Sequence, residues 1–321
     1  MNSIILKIMS LMMSLLAMLG QVATPAGDNA IHQYNKNKAM SFYFTGDPQV
    51  AAAIPSREAA VIAAVKDWCA AETTVDAMVC AGDIAENGLQ PEYEAIYNDL
   101  KDVPVKNWIF ATGNHDIRMR EYSETVAQFT AFQNQFNDSK HAIKALHYSY
   151  TVKGYKFIVM GSDITKFEDA FFTNTQLEWL DTELQSATKG GKPAFVLLHQ
   201  PLKHTHGLPN TWGSNVGDKE ILGSVGEQSD TILEILDKYQ NVILLTGHLH
   251  TGFGQYTYEK IGNNIHGVNV PSLGIENKDG KYNNNGTGFY VEVMPTKVVF
   301  HARDFARGVN INDQDITIPL V

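Results

Sequence analysis

Five short apolar runs in this chain stop in the same way, at a glycine or proline beside a side chain that can offer a lone pair. Ser41–Thr45 runs into Gly46-Asp47-Pro48-Gln49, Asp76–Ala81 into Gly82-Asp83, and Trp108–Thr112 into Gly113-Asn114-His115-Asp116. Pro193–Leu198 runs into His199-Gln200-Pro201, and Val242–Leu245 into Thr246-Gly247-His248-Leu249-His250. Short apolar runs bounded by turn residues read as buried strands. Strands that alternate with helical segments build an α/β domain. Ligands in open α/β sheets collect just beyond the carboxyl ends of the strands, so the five donor sets are expected at one edge of the molecule. His248 and His250 lie two residues apart, which on an extended backbone turns both imidazoles to one side.

The segments between the runs supply the helices. Pro55–Ala71 carries Ala60, Val61, Ala64, Val65 and Trp68 on one face, with Ser56 as the expected cap. Glu92–Leu100, Tyr122–Phe136 and Asp230–Tyr239 read as helices, the second inside a polar insertion over 117–146. Thr175-Gln176-Leu177-Glu178 has the form of a capping box that opens a helix buried through Leu177, Leu180 and Leu184. His147–Val152 and Lys156–Ser162 read as a hairpin around Gly154, and Gly267–Ser272, Gly288–Met294 and Lys297–Ala302 as late strands. No composition break or internal repeat divides the chain. The expected organisation is one domain over 39–310, preceded by a disordered linker at 27–38 and followed by a tail at 311–321.

Residues 1–26 read as a secretory signal peptide: Lys7 is the only charge, Ile4–Leu19 is a short apolar run, and Ala23 and Ala26 follow as small residues. The mature chain is then expected outside the cytoplasm with no membrane span. Cleavage would leave 24 basic against 35 acidic residues, a net of −11, so no general attraction to nucleic acid or anionic lipid is expected. A phosphate-bearing ligand would need local cations. Two cysteines, Cys69 and Cys80, are too few for a disulfide scaffold and read as buried, inert thiols. No Gly-x-Ser-x-Gly elbow announces a serine hydrolase.

Asp, Asn, Gln and His are the nitrogen and oxygen donors that suit Mn, Zn or Fe. Gly46-Asp47, Gly82-Asp83, Gly113-Asn114-His115-Asp116, His199 and Gly247-His248-Leu249-His250, in that order, closely resemble the motifs of the calcineurin-like metallophosphoesterases. The resemblance implies an α/β four-layer sandwich of two mixed β-sheets flanked by helices, with two divalent metal ions at its top edge. It implies that Asp83 bridges the ions, that Asp47 and His250 hold one, and that Asn114, His199 and His248 hold the other. Closely spaced cations acidify a bridging water and neutralise phosphoryl oxygens for attack by the resulting hydroxide. His115 matches the family histidine that touches the phosphate or protonates the leaving oxygen, with Glu86 or Asp116 as its orienting carboxylate.

The chain departs from the family at Gln49, where many members carry histidine. Its amide oxygen remains a competent hard donor, so Gln49 is kept as a metal ligand. Glu86 stands where purple acid phosphatases carry a metal-bound tyrosine, so no purple ferric centre is expected. The resulting expectation is a secreted, dinuclear-metal-dependent hydrolase of phosphoric esters, either a phosphodiesterase or a phosphomonoesterase, with a phosphate ester as substrate. Its rival is a secreted, non-catalytic binding protein on the same fold with a weakened first metal site. Substrate choice is expected to lie in loops 117–146 and 203–217. There His204, His206 and Trp212, or Arg118 and Arg120, could reach the substrate, with solvated placements as the competing reading. His32, His141, His266 and His301 are read as structural.

Overall fold

The computed structural model describes residues 35–71, 74–213 and 219–321. The segment 1–26, read as a signal peptide, and residues 27–34 of the segment read as a linker lie outside the described residues. Two sheets form the body. The first runs in the order β12-β11-β10-β1-β2-β3, built from Met40–Thr45 (β1), Ala77–Cys80 (β2), Trp108–Phe110 (β3), Thr287–Met294 (β10), Lys297–Asp304 (β11) and Val309–Asn310 (β12). Ile316–Pro319 (β13) also pairs with β11. The second sheet runs β4-β5-β6-β7-β9-β8, from Tyr148–Val152 (β4), Tyr155–Val159 (β5), Ala194–Leu197 (β6), Val242–Thr246 (β7), Tyr258–Ile261 (β8) and Ile265–Asn269 (β9). β1, β2 and β3 are parallel, as are β5, β6, β7 and β9, while the remaining pairs are antiparallel. Both sheets are therefore mixed.

Side-chain alternation explains how the sheets stack. On β1, Phe42 packs edge-on to Phe157 of β5 and Phe195 of β6, with ring centroids 5.3 Å apart in both cases. Tyr43 faces the other way and stacks on Trp68 at 5.8 Å. Trp68 belongs to helix α1, Pro55–Ala70. On β6 and β7, Phe195, Leu197, Ile243 and Leu245 turn toward the first sheet. Val196, Val242 and Leu244 turn toward a second apolar cluster that includes Leu177, Leu180, Leu184, Ile232 and Leu236 of the flanking helices. Strands buried on both faces read as continuous apolar runs rather than alternating ones. The result is the four-layer sandwich.

The remaining helices are Gln90–Leu100 (α2), Asn114–Ile117 (α3), Tyr122–Gln133 (α4), Asn174–Ala187 (α5) and Ser229–Asp237 (α6). α5 is capped earlier than the sequence pattern proposed: Thr173, not Thr175, takes the N-cap, and its hydroxyl accepts from Gln176 N at 3.3 Å. Ser56 does not cap α1 either. Pro55 occupies the first turn, where its missing N–H costs nothing, and Ile54 sits at the cap without a side-chain bond. Both cysteines are free, but only Cys80 is buried: Cys69, expected to be buried, is exposed on the helix surface. Among the described residues no helix is long and apolar enough to cross a membrane.

Two expectations at the chain ends are corrected. The segment 311–321, read as a tail, contains β13, and Ile318 is fully buried opposite Val298. Asn35, in the segment read as linker, donates to Glu292 Oε1 at 3.2 Å. Ile316, Ile318 and Leu320 alternate as strand residues do, Ile311 and Ile318 are buried, and Ile316 and Leu320 pack against the same core. We expect Ile318→Ala to destabilise the protein by about 2–5 kcal/mol, read as a lowered urea midpoint with the m-value unchanged.

Candidate metal centre

All five donor sets lie just beyond the carboxyl ends of β1, β2, β3, β6 and β7, where the two sheets meet. The turn after β1 is tied to the turn after β2 by Asp47 N donating to Gly82 O at 3.0 Å and Gln49 N to Asp83 O at 2.9 Å. The turn after β7 is tied to β6 by Gly247 N donating to His199 O at 2.9 Å. His248 N donates to Asp47 Oδ1 at 3.1 Å, across the junction between the sheets. Two glycines make the close approach possible. A Cβ on Gly113 would collide with the Asp83 carboxylate, and one on Gly247 would lie 2.5 Å from Asp47 Oδ2.

The donors form two overlapping groups, Asp83–His199–His248 and Asp47–Asp83–His250, each with its ligand atoms within 4.8 Å of one another. Asp83 belongs to both. His199 Nε2 lies 3.2 Å from Asp83 Oδ2 and 4.0 Å from Asp47 Oδ1, and His250 Nε2 lies 3.2 Å from Asp47 Oδ1. His248 Nδ1 and His199 Nε2 face each other at 3.2 Å. Asp47, Gln49, Asp83, His248 and His250 all have positive φ, between 39° and 72°. Side chains other than glycine hold that conformation only where the surroundings over-determine it.

Several features fit a cation pair. Burial disfavours the Asp83 carboxylate, yet His199, His115 and His248 hold its pKa well below the usual range. Burial likewise opposes charge on His199, but Asp83 and Asp47 raise it to about 9. The cluster thus demands positive charge at its centre, and a divalent cation supplies more of it than a proton. Asn114 Oδ1 and Gln49 Oε1 are buried acceptors with no hydrogen-bond partner among the described residues, a costly state unless something coordinates them. All seven expected ligands are therefore buried or nearly so at one junction, and their chemistry suits Mn, Zn or Fe.

His115 lines the cleft above this cluster. Its backbone N–H donates to Asp83 Oδ1 at 2.9 Å, and its Nε2 lies 4.0 Å from Asp83 Oδ2. Its Nδ1 lies 2.9 Å from Glu86 O and 3.2 Å from Glu86 Oε2, so that nitrogen carries a proton. Burial pushes His115 down, but Glu86 and Asp83 together raise it despite Arg118 nearby. Glu86 is itself held by an ion pair with Arg57. Asp116 is placed otherwise. It accepts from the backbone of Ile84, Ala85 and Gly113 and from Tyr93 Oη at 3.0 Å, joining the turns after β2 and β3. Of the two carboxylates considered for His115, Glu86 is the one beside it.

The cleft occupies about 640 Å³. Its walls include Phe167, Trp212, Ile221 and Leu222, and its polar lining includes Glu168, Asp169 and Lys278. Trp212 stacks on His248 with centroids 4.4 Å apart, so of the three residues singled out in loop 203–217 it is the one that reaches the site. His206 is buried with Nδ1 2.7 Å from Tyr256 O, and His204 pairs with Glu220 at 3.0 Å. Arg120 pairs with Glu124 at 3.6 Å, outside the cleft. Phe167, Glu168 and Lys278 were not singled out from sequence. They sit on loops without motif or period, and only the exposed aromatic of Phe167 in a polar stretch hints at a role.

Donors shared by two sheet edges around one aspartate define a metallophosphoesterase-type centre. The chain belongs to the calcineurin-like phosphoesterase family, whose sequence model matches residues 40–252. It is 23% identical over 199 residues to a 3',5'-cyclic-nucleotide phosphodiesterase of Nostoc sp., a match that spans 62% of this chain and 62% of that relative. It is also 23% identical over 237 residues to a Psychrobacter arcticus protein named "probable cyclic nucleotide phosphodiesterase", covering 71% of this chain and 76% of that one. Its fold is similar to that of a dimetal phosphatase from Danio rerio, with a TM-score of 0.62 at 14% identity, over 88% of this chain and 100% of that chain.

The centre has a stability signature. Cations that bind only the folded chain stabilise it by about 2.7 kcal/mol at a hundredfold excess over Kd. Saturating Mn should therefore raise the melting temperature of the wild type. In Asp83→Asn the rise should shrink sharply, and bound Mn measured by elemental analysis should fall from two per chain to one or none. An Asp83→Asn protein that binds Mn as the wild type does would contradict the shared-aspartate assignment.

Proposed function

We propose that this chain is an exported, two-metal phosphodiesterase that acts on nucleotide-like diesters. Asp47, Gln49 and His250 would hold one ion, Asn114, His199 and His248 the other, and Asp83 both. Bound there, the ions supply the positive charge and the activation of water that phosphoryl transfer needs. The side chains do the rest. His115 keeps a proton on the Nδ1 beside Glu86, and in its doubly protonated form Nε2 would give a hydrogen bond to the phosphate or a proton to the leaving oxygen. Trp212 and Phe167 offer flat apolar faces beside it.

The charge of the cleft carries the diester reading. Arg118 is engaged by Glu168 at 3.7 Å and by Glu86 at 4.0 Å. Asp169 is paired in the same way with Lys166 at 2.9 Å, which leaves Lys278 as the one lysine or arginine of the cleft lining among the described residues. A monoester dianion calls for several cations around its free oxygens, whereas a singly charged diester with an aromatic group fits this balance. The names of the similar proteins in Nostoc and Psychrobacter point the same way. Export rests on the apolar run Ile4–Leu19 followed by small residues.

The Mn-loaded protein should hydrolyse bis(4-nitrophenyl) phosphate with a higher kcat/KM than 4-nitrophenyl phosphate, and should open 3',5'-cyclic AMP. EDTA should abolish both activities and added Mn restore them. A preference for the monoester would reverse the reading. Two bound ions with no turnover of any ester would favour the binding-protein alternative.

A further inference from the structure

The expected metal ligand Asn114 is held by a segment that belongs to none of the five motifs. Its Nδ2 donates to Phe167 O at 3.3 Å and to Glu168 Oε2 at 3.2 Å. Both partners are acceptors only, so the amide can point only its nitrogen at them. Oδ1 is thereby turned away, and it is the atom left buried without a partner among the described residues. The other carboxylate oxygen of Glu168 lies 3.7 Å from Arg118 Nη1, and Arg118 Nη2 lies 2.9 Å from His115 Nδ1. One carboxylate therefore holds both the amide of the expected metal ligand and the Arg118 guanidinium, whose approach to the protonated Nδ1 of His115 is a packing contact and not a hydrogen bond.

The same segment forms part of the cleft wall. Phe167 lines the cleft and is 64% exposed as a residue, with the Arg118 guanidinium over its ring at 5.2 Å. The segment is anchored at two points: Gln200 Nε2, next to His199, donates to Glu168 O at 2.8 Å, and Thr165 Oγ1 donates to Arg120 O at 3.1 Å. An aromatic ring left largely open at the mouth of a cleft is unused surface for the folded chain alone, because stacking on a flat ligand would bury it.

We propose that residues 165–168 form a bifunctional brace, in which Glu168 is the positioning residue that fixes the Asn114 amide toward the metal centre and Phe167 is the face on which the aromatic or base portion of the substrate stacks. The proposal deepens the phosphodiesterase reading and rests on it for the substrate half, while the metal half is independent of turnover. Outer partners of metal ligands are typically worth about 10–100-fold in metal affinity. Glu168 carries a side chain 41% exposed, so its replacement should leave folding intact.

Mn titrated calorimetrically into the metal-stripped full chain tests the first half. In Glu168→Ala one of the two Mn equivalents should weaken by about tenfold or more while the other holds. In Glu168→Gln, whose amide oxygen still accepts from Asn114, most of that affinity should return. In an Asn114→Ala background, Glu168→Ala should cost nothing further at that ion, since a shared effect is not additive. Unchanged Mn binding in Glu168→Ala, or full additivity with Asn114→Ala, would overturn the positioning role. For the second half, Phe167→Ala keeps the backbone carbonyl, so Mn affinity should stay at the wild-type value. KM for bis(4-nitrophenyl) phosphate should rise while kcat holds. An unmoved KM would overturn the stacking role. Should the wild type hydrolyse no diester, the functional reading fails, and the Mn titrations still decide the brace.

Discussion

Two carboxylates with almost no exposure, Asp47 and Asp83, stand at the junction of the two sheets, and much of the surrounding architecture offsets the cost of keeping them there. An isolated carboxylate in such a place would take up a proton rather than stay charged. Here each one accepts backbone N–H groups from another turn, Asp47 from His248 and Asp83 from His115. Each also faces an imidazole from the opposite sheet, His250 for Asp47 and His199 for Asp83. The carboxylates therefore join the sheets as well as forming the centre. Removing either would leave unpaired donors on both sides of the seam, a loss larger than that of a surface ion pair.

Keeping the donors this close has a conformational cost, seen in the left-handed backbone of Asp47, Gln49, Asp83, His248 and His250. Each such residue costs on the order of 1–3 kcal/mol. The strain is tolerable because the strands on which it sits are long-range, doubly buried and paired on both sides, β1 with β2 and β10, β7 with β6 and β9. Rigid sheets thus position short strained turns, and the turns position the ligands. The glycines beside them serve the same end. Gly113 and Gly247 are required less by their own torsions than by carboxylate atoms occupying the space a Cβ would fill.

This division explains what could be read from residues alone. The strand ends were legible because apolar runs, glycines and donors recur together, and the donor side chains Asp47, Asp83, His199, His248 and His250 come together beyond those strand ends. Glu86 could be weighed only against Asp116 from sequence, since both lie within a few residues of a motif. The structure separates them by giving Asp116 four donors of its own and leaving Glu86 beside His115. Phe167 and Glu168 escaped because their contacts with Asn114 span more than fifty residues of chain and no periodicity announces a loop. The seating of β13 had a local signal that is short, the alternation of Ile316, Ile318 and Leu320, and its pairing with β11 is set by contacts with a distant strand. Ser56 and Thr175 do not cap their helices, because each helix starts earlier: Ile54, without a side-chain bond, and Thr173 hold the cap positions two residues upstream.

The net acidity of the chain bears on how it can recognise an anion at all. Arg57 is taken up by Glu86, and Arg118 by Glu86 and Glu168, so the guanidinium groups nearest the centre are already neutralised. Lys278 lines the cleft together with Glu168 and Asp169, and Asp169 is itself paired with Lys166 at 2.9 Å. Without further positive charge the cleft would repel a phosphate ester, because its low-dielectric walls strengthen the field of the buried aspartates. With divalent cations on the seven donors the sign at the cleft floor inverts, while the rim stays acidic and apolar. Anion binding is then confined to the one point where the cations sit. On the proposed function, the rest of the substrate would be recognised by shape and stacking rather than by charge, and an acidic protein would thereby select a phosphoester without attracting polyanions in general.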